Sequence, residues 1–211
     1  MESRNDEIYI VLRKRIVDLV YRPGEVLSEK SLMEEFSTSR TPVRESLLRL
    51  EQDRLVNIIP RVGTYVSQVD IRSAKYAYEM KKNLEGLAAE LAAGRASEQQ
   101  IEELMSVASR FSTYDNVKDY GECIDDDRLF HALTRRASGN PLLINTLDDL
   151  SVITVRFLKH IQYVEKEFDW YKGSINGIAS AIRDRDPERA RFEAESHTEA
   201  FLSKLASYFF G

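Results

Sequence analysis

The chain has 211 residues, 43% of them hydrophobic and 31% charged, and 30 Lys and Arg against 35 Asp and Glu give a formal net charge of −5. That length buries a real core in one or two domains, and the acidic balance excludes an indiscriminate polyanion binder. No apolar stretch approaches the ~20 residues that cross a bilayer, the N-terminus lacks an apolar signal core, and the single cysteine, Cys123, closes no internal disulfide, so the expected setting is the reducing cytoplasm, without membrane contact.

Runs of Ala, Leu, Glu, Arg and Lys with only nine glycines and five prolines predict a mostly α chain. Ile8, Leu12, Ile16 and Leu19 recur at helical spacing, which predicts a first helix over Asp6–Val20. Pro23 and Gly24 end it in a turn. Ser28 is suited to cap a second helix, Glu29–Phe36, with Leu32 facing inward. Ser39 is suited to cap a third, with Pro42 in its first turn and Val43, Leu47 and Leu50, joined by Leu48, as its buried stripe. After Leu55 the residues turn β-branched around Pro60 and Gly63, which predicts a two-stranded hairpin with Arg61–Thr64 at its tip. Three helices followed by a hairpin make a winged helix-turn-helix, expected over residues 1–69.

From Asp70 the chain reads as helix. Helices are expected near 73–94, 97–112, 115–137, 141–167, 169–185 and 187–208, with Ser97, Gly139–Pro141 and Asp186–Pro187 as punctuation. Their one-sided apolar faces predict an all-α antiparallel bundle over residues 73–211.

The third helix carries Arg40, Arg44 and Arg49, with Arg54 and Arg61 beyond it, against Glu45, Glu51 and Asp53. In a helix-turn-helix the start of the second helix of the pair meets base edges. Arg40 and Arg44 suit guanine, while the Ser39 and Thr41 hydroxyls suit phosphate oxygens. Lys30 on the preceding helix is placed for a backbone phosphate. Arg49 and Arg54 lie further along and are expected to be structural or phosphate-proximal. Taken alone, such arginines are more often a solvated face.

The stretches RPGEVLSEKSLMEEFSTSRTPVRESLLRLEQDRLV and RVGTYV resemble the N-terminal domain of the GntR family of bacterial transcription regulators over nearly all of residues 9–66. The resemblance implies DNA-contacting positions at Lys30, Ser39, Arg40, Thr41, Arg44 and Gly63. Arg54 departs from the pattern, which usually has glycine there to relieve a left-handed helix end.

The stretches YEMKKNLEGLAAELAA, DRLFHALTRRASGNPLL and AIRDRDPERARFEAESH resemble the FadR-type branch of that family, with its all-helical FCD effector-binding domain. Many members hold a divalent metal through one aspartate and three histidines. The positions matched here are Asp127, His131 and His197, while Ile175 stands where the remaining histidine belongs. Asp127 and His131 are four apart, hence on one helical face. Imidazole and carboxylate suit zinc or nickel, and an empty polar site is the alternative. Lys81 stands where the family commonly has an arginine gripping the effector carboxylate. It keeps the charge without the planar fork, and the bland alternative is a solvated cation beside Glu85. His160 has no motif context.

The expected protein is a ligand-responsive, DNA-binding regulator, more commonly a repressor. As a homodimer it would read a near-palindromic operator and answer to a small-molecule effector, a carboxylate on the resemblance. Two rivals are a metal-dependent hydrolase using Asp127, His131 and His197, and a helical dimerisation adaptor without an effector.

Overall fold

The computed structural model describes residues 4–115, 118–161 and 168–210. Parts of the expected helices at 116–117 and 162–167, and the chain ends at 1–3 and 211, lie outside them. The chain divides into two compact units, Met1–Ile71 with Arg156–Gln162, and Arg72–Val155 with Tyr163–Gly211.

The first unit is built on α1 (Arg4–Val17), α2 (Glu29–Glu35) and α3 (Arg40–Gln52), followed by β2 (Val56–Ile59) and β3 (Gly63–Val66), with β1 (Val26–Leu27) before α2. α3 packs against α1 and α2. Ile8, Leu12, Ile16, Val43, Leu47 and Leu50 are at most 1% exposed and form the core of this unit. Burying such side chains contributes roughly 1.5–3 kcal/mol each. Two details differ from the periodic reading. Leu19 lies past the end of α1 in a left-handed conformation, φ 59°, and Val17 takes the inward place. Leu48 is 51% exposed, whereas Ser46 is fully buried, its hydroxyl lying 2.8 Å from the carbonyls of Pro42 and Asn5.

The wing has three strands rather than two. β1 pairs antiparallel with β3, Val26 opposite Tyr65, in the order β1-β3-β2. The hairpin tip falls one to two residues earlier than expected. Ile59 accepts from the Val62 N–H at 3.0 Å, closing a turn over Pro60 and Arg61, and Gly63 already pairs with Ile59. Proline second and a positive φ third, 64° at Arg61, are features of a type II turn.

The second unit holds α4 (Ile71–Arg95) from Arg72 on, α5 (Glu98–Arg110), α6 (Tyr120–Ala137), α7 (Pro141–Ile161) as far as Val155, α8 (Phe168–Arg183) and α9 (Pro187–Phe210). α8 packs against both α9 and α5, and α5 also packs against α6. Caps set the starts. Ser97 and Gln100 form a reciprocal capping box at α5, Asn140 Oδ1 accepts from the Leu143 N–H at α7, and Asp186 Oδ1 accepts from the Arg189 N–H at α9. At Gly86 a β-carbon would lie 2.5 Å from Glu195 Cγ, so a larger residue on α4 there would force the Glu195 side chain of α9 to shift.

Candidate functional site

Two arrangements of polar side chains carry chemistry, one in each unit. In the first, Ser39 stands at the N-cap position of α3, yet its side chain makes no cap hydrogen bond. That hydroxyl remains available beside the helix start. Arg40 and Arg44 keep 64% and 60% of their side chains exposed, while Val43, Leu47 and Leu50 on the same helix are buried. Both turn toward Glu29 at the start of α2. Arg44 Nε donates to Glu29 Oε1 at 2.9 Å, and Arg40 Nε lies 3.4 Å from Oε2. Thr41 is exposed on the same turn, Lys30 is exposed next to Glu29, and Arg61 is exposed at the wing tip beside the half-buried Gly63. Arg49 is tied into its own unit. Its Nη1 reaches Asp6 at 2.5 Å and its guanidinium lies 4.0 Å over the Tyr9 ring.

In the second unit, α4, α6, α7, α8 and α9 bring ionisable groups together inside the helices. Asp127, His131 and His197 each offer a ligand atom, and these atoms lie within 4.8 Å of one another. His131 Nε2 is 3.4 Å from Asp127 Oδ1, and its Nδ1 is 3.6 Å from Glu85 Oε2. Tyr171 donates from its hydroxyl to Asp127 Oδ1. Ser174 Oγ is 2.7 Å from His197 Nδ1 and donates its one hydrogen to the Tyr171 carbonyl at 2.8 Å. With the serine hydrogen on that carbonyl, Oγ accepts from Nδ1–H and the His197 Nε2 lone pair is left for another partner. Trp170 stacks on His197, ring centroids 5.9 Å apart and planes 9° apart.

Glu85 is the hub that the sequence did not announce. It is 2% exposed and receives Arg135 through Nη2 at 2.5 Å and Nε at 3.2 Å, His131 at 3.6 Å, and Lys81 at 3.7 Å. Arg135 also donates to Asp148 Oδ1 at 3.1 Å. Lys81 is 8% exposed, so it is no solvated cation. Its other polar contacts are Thr154 Oγ1 at 3.4 Å and Ser151 Oγ at 3.5 Å. An ammonium has three donors, and none of these contacts is short.

The charges set one another. Burial works to lower the His131 pKa, but the carboxylates of Glu85 and Asp127 outweigh it and raise it to about 9. Burial works to raise Asp127, but charged His131 and its hydrogen bond, then His197, outweigh it and bring it to about 2. His197 is lowered to about 4 by burial and by the positive His131 beside it. Burial also lowers Lys81, against the pull of Glu85. One histidine is thus cationic and its neighbour neutral at pH 7.

Ile175, one residue past Ser174, is fully buried and supplies no ligand atom. The donor set consists of one carboxylate and two imidazoles. His131 Nδ1 and Asp127 are each backed by a further partner, Glu85 and Tyr171 respectively. Such a set fits a divalent ion that prefers nitrogen and oxygen and keeps open positions.

The N-terminal unit matches the model of bacterial regulatory proteins of the gntR family over residues 4–66, and the helical unit matches the FCD domain over residues 76–200. The chain belongs to the GntR family, with an FCD domain. It is similar to the HTH-type transcriptional repressor RspR of Escherichia coli K12, at 29% identity over 92% of this chain and 86% of that one. Its fold is that of E. coli McbR/YncC, with TM-score 0.82 at 23% identity over 99% and 100% of the two chains. A GntR protein from Rhodococcus sp. RHA1 gives 0.76 at 20% identity over 98% and 99%. This GntR-family protein is a DNA-binding transcription regulator and not an enzyme, which disposes of the hydrolase alternative. No helix among the described residues is long and apolar enough to cross a membrane.

Proposed function

We propose that this regulator is a ligand-responsive repressor whose FCD domain binds a small carboxylate, with a divalent ion such as zinc or nickel held by Asp127, His131 and His197. The observation that carries this reading is the convergence of those three ligand atoms within 4.8 Å, close to a buried lysine with only long polar contacts. The chemistry such an ion supplies is Lewis acidity toward an oxygen of the effector. Lys81, whose contacts are all long, offers its ammonium to the effector's charge, Glu85 orients His131, Tyr171 orients Asp127, and Ser174 fixes the His197 tautomer.

On DNA, Arg40 and Arg44 read guanine edges in the major groove, Ser39, Thr41 and Lys30 contact phosphates, and Arg61 with Gly63 brings the wing to the duplex. Two copies present these surfaces to the half-sites of a near-palindrome. The effector shifts DNA affinity only by its differential affinity for two arrangements of the dimer. The likeness to RspR, a repressor by name, favours repression.

The test uses the full chain and a duplex selected for tight binding from a random-sequence pool. DNA affinity is measured after chelation, after zinc or nickel reloading, and across a panel of small carboxylates. A carboxylate should weaken binding by the ion-loaded protein, and His131→Ala should abolish that response while leaving basal DNA affinity intact. Unaltered affinity throughout the panel would leave the bundle as a dimerisation adaptor, and an undiminished response in His131→Ala would remove the site.

A further inference from the structure

Glu29 is the feature of the DNA-facing surface that its expected role leaves unexplained. A carboxylate on a surface that must meet phosphates opposes docking, since it repels each of them. Yet Glu29 sits between the two arginines proposed to read bases. One of its oxygens accepts from Arg44 Nε at 2.9 Å, and the other lies 3.4 Å from Arg40 Nε. The nearest nitrogen in both pairs is Nε, at the side of the guanidinium. Among the described residues, the terminal Nη groups of Arg40 and Arg44 donate no hydrogen bond. Held in that way, a guanidinium keeps its outer pair of N–H groups turned away from the carboxylate. A pair of parallel N–H groups is what guanine O6 and N7 accept.

The partial exposure of this trio decides how it acts. Glu29 keeps 30% of its side-chain surface and the arginines 60% or more. Exposed ion pairs add little to folding stability. They still change the charge that approaching DNA meets. Counterion release rewards every phosphate neutralised regardless of sequence, whereas base-edge hydrogen bonds reward sequence alone. A carboxylate beside both arginines makes indiscriminate phosphate capture costlier, because its negative charge repels each phosphate they would take. A guanine edge can be engaged without that loss.

We propose that Glu29 is a specificity-determining positioning residue: it aims Arg40 and Arg44 at guanine edges and suppresses their use on phosphates. This rests on the base-reading role proposed for those arginines. Glu29→Gln should leave folding unchanged and bind a shuffled duplex more tightly. The slope of log affinity against log salt should steepen by about one, and the ratio of selected to shuffled affinity should fall about tenfold.

The deciding experiment is a cycle of Glu29→Gln, the Arg40→Ala/Arg44→Ala pair, and their combination. Each is titrated with selected and shuffled duplexes at several salt concentrations. If Glu29 acts through the arginines, its substitution has no further effect on the ratio once they are gone. An equal effect in both backgrounds, or an unchanged ratio and salt slope for Glu29→Gln alone, overturns the proposal. Unaltered sequence preference in the arginine pair would instead defeat the base-reading role itself, so the two failures are told apart.

Discussion

Arg135 grips Glu85 through Nη2 at 2.5 Å and Nε at 3.2 Å, with 3% and 2% of the two residues exposed to water. The same carboxylate faces His131 and Lys81. Its removal would therefore leave three cations with only Asp127 and Asp148 to balance them. Breaking a buried pair in this way costs roughly 3–5 kcal/mol, because the stranded charge has lost its water as well as its partner. Glu85→Gln should lower the urea midpoint accordingly. A loss below about 1 kcal/mol would mean that water already screens the network.

The two site histidines give opposite pH dependence. His131 titrates at about 9 in the fold against 6.5 ordinarily, so its stabilising charge is fully present below 6.5 and is lost as pH rises through 9. His197 titrates at about 4, so its contribution is present above 6.5 and is lost as pH falls toward 4. Thermal melts in chelator should show the gap between wild type and His131→Asn shrinking on the alkaline side. The gap to His197→Asn should shrink on the acid side. Parallel curves for either variant would contradict the assignment.

Two exposed arginines occupy left-handed backbone, and glycine should relieve both, with different consequences. Arg54 follows the end of α3 at φ 59°, and Arg61 turns the wing at φ 64°. Each substitution by glycine should stabilise by about 1 kcal/mol in chemical denaturation, the cost of a left-handed L-residue less glycine's greater unfolded freedom. Arg54→Gly should leave DNA affinity unchanged. Arg61→Gly should weaken it, since the strained turn carries a cation proposed to meet the duplex. Equal DNA affinity for both variants would remove the wing arginine from the interface.

Among the described residues, Lys30 makes one long contact, 4.0 Å to Glu34, with 86% of its side chain exposed. A lysine so placed acts on phosphate without regard to sequence. Lys30→Ala should weaken selected and shuffled duplexes alike and reduce the salt slope by about one. A loss confined to the selected duplex would give Lys30 a base-reading role instead.

Local pattern revealed most of the elements and half of the inner site. The caps at Ser28, Ser97 and Asp186 and the one-sided stripe of α3 are properties of neighbouring residues, and all form. β1 was missed because two residues carry no periodicity; its place depends on Tyr65 and Thr64, some forty positions away. Ser46 lies outside the apolar pattern because a hydroxyl reads as polar, but helix carbonyl oxygens satisfy it inside. Asp127, His131 and Arg135 follow one another at intervals of four, so their common stripe on α6 was readable, though the arginine was passed over. The hub role of Glu85 was not readable, because its side chain on α4 meets Arg135 of α6, a partner 50 positions distant.

Trp170 is the chain's single indole, and it lies flat against His197 while the Lys204 ammonium hovers 5.3 Å above its ring. Its ultraviolet emission therefore comes from one spot, beside the proposed effector pocket. Whatever docks there will alter brightness or colour without any attached dye, turning the unlabelled protein into its own spectroscopic gauge of occupancy.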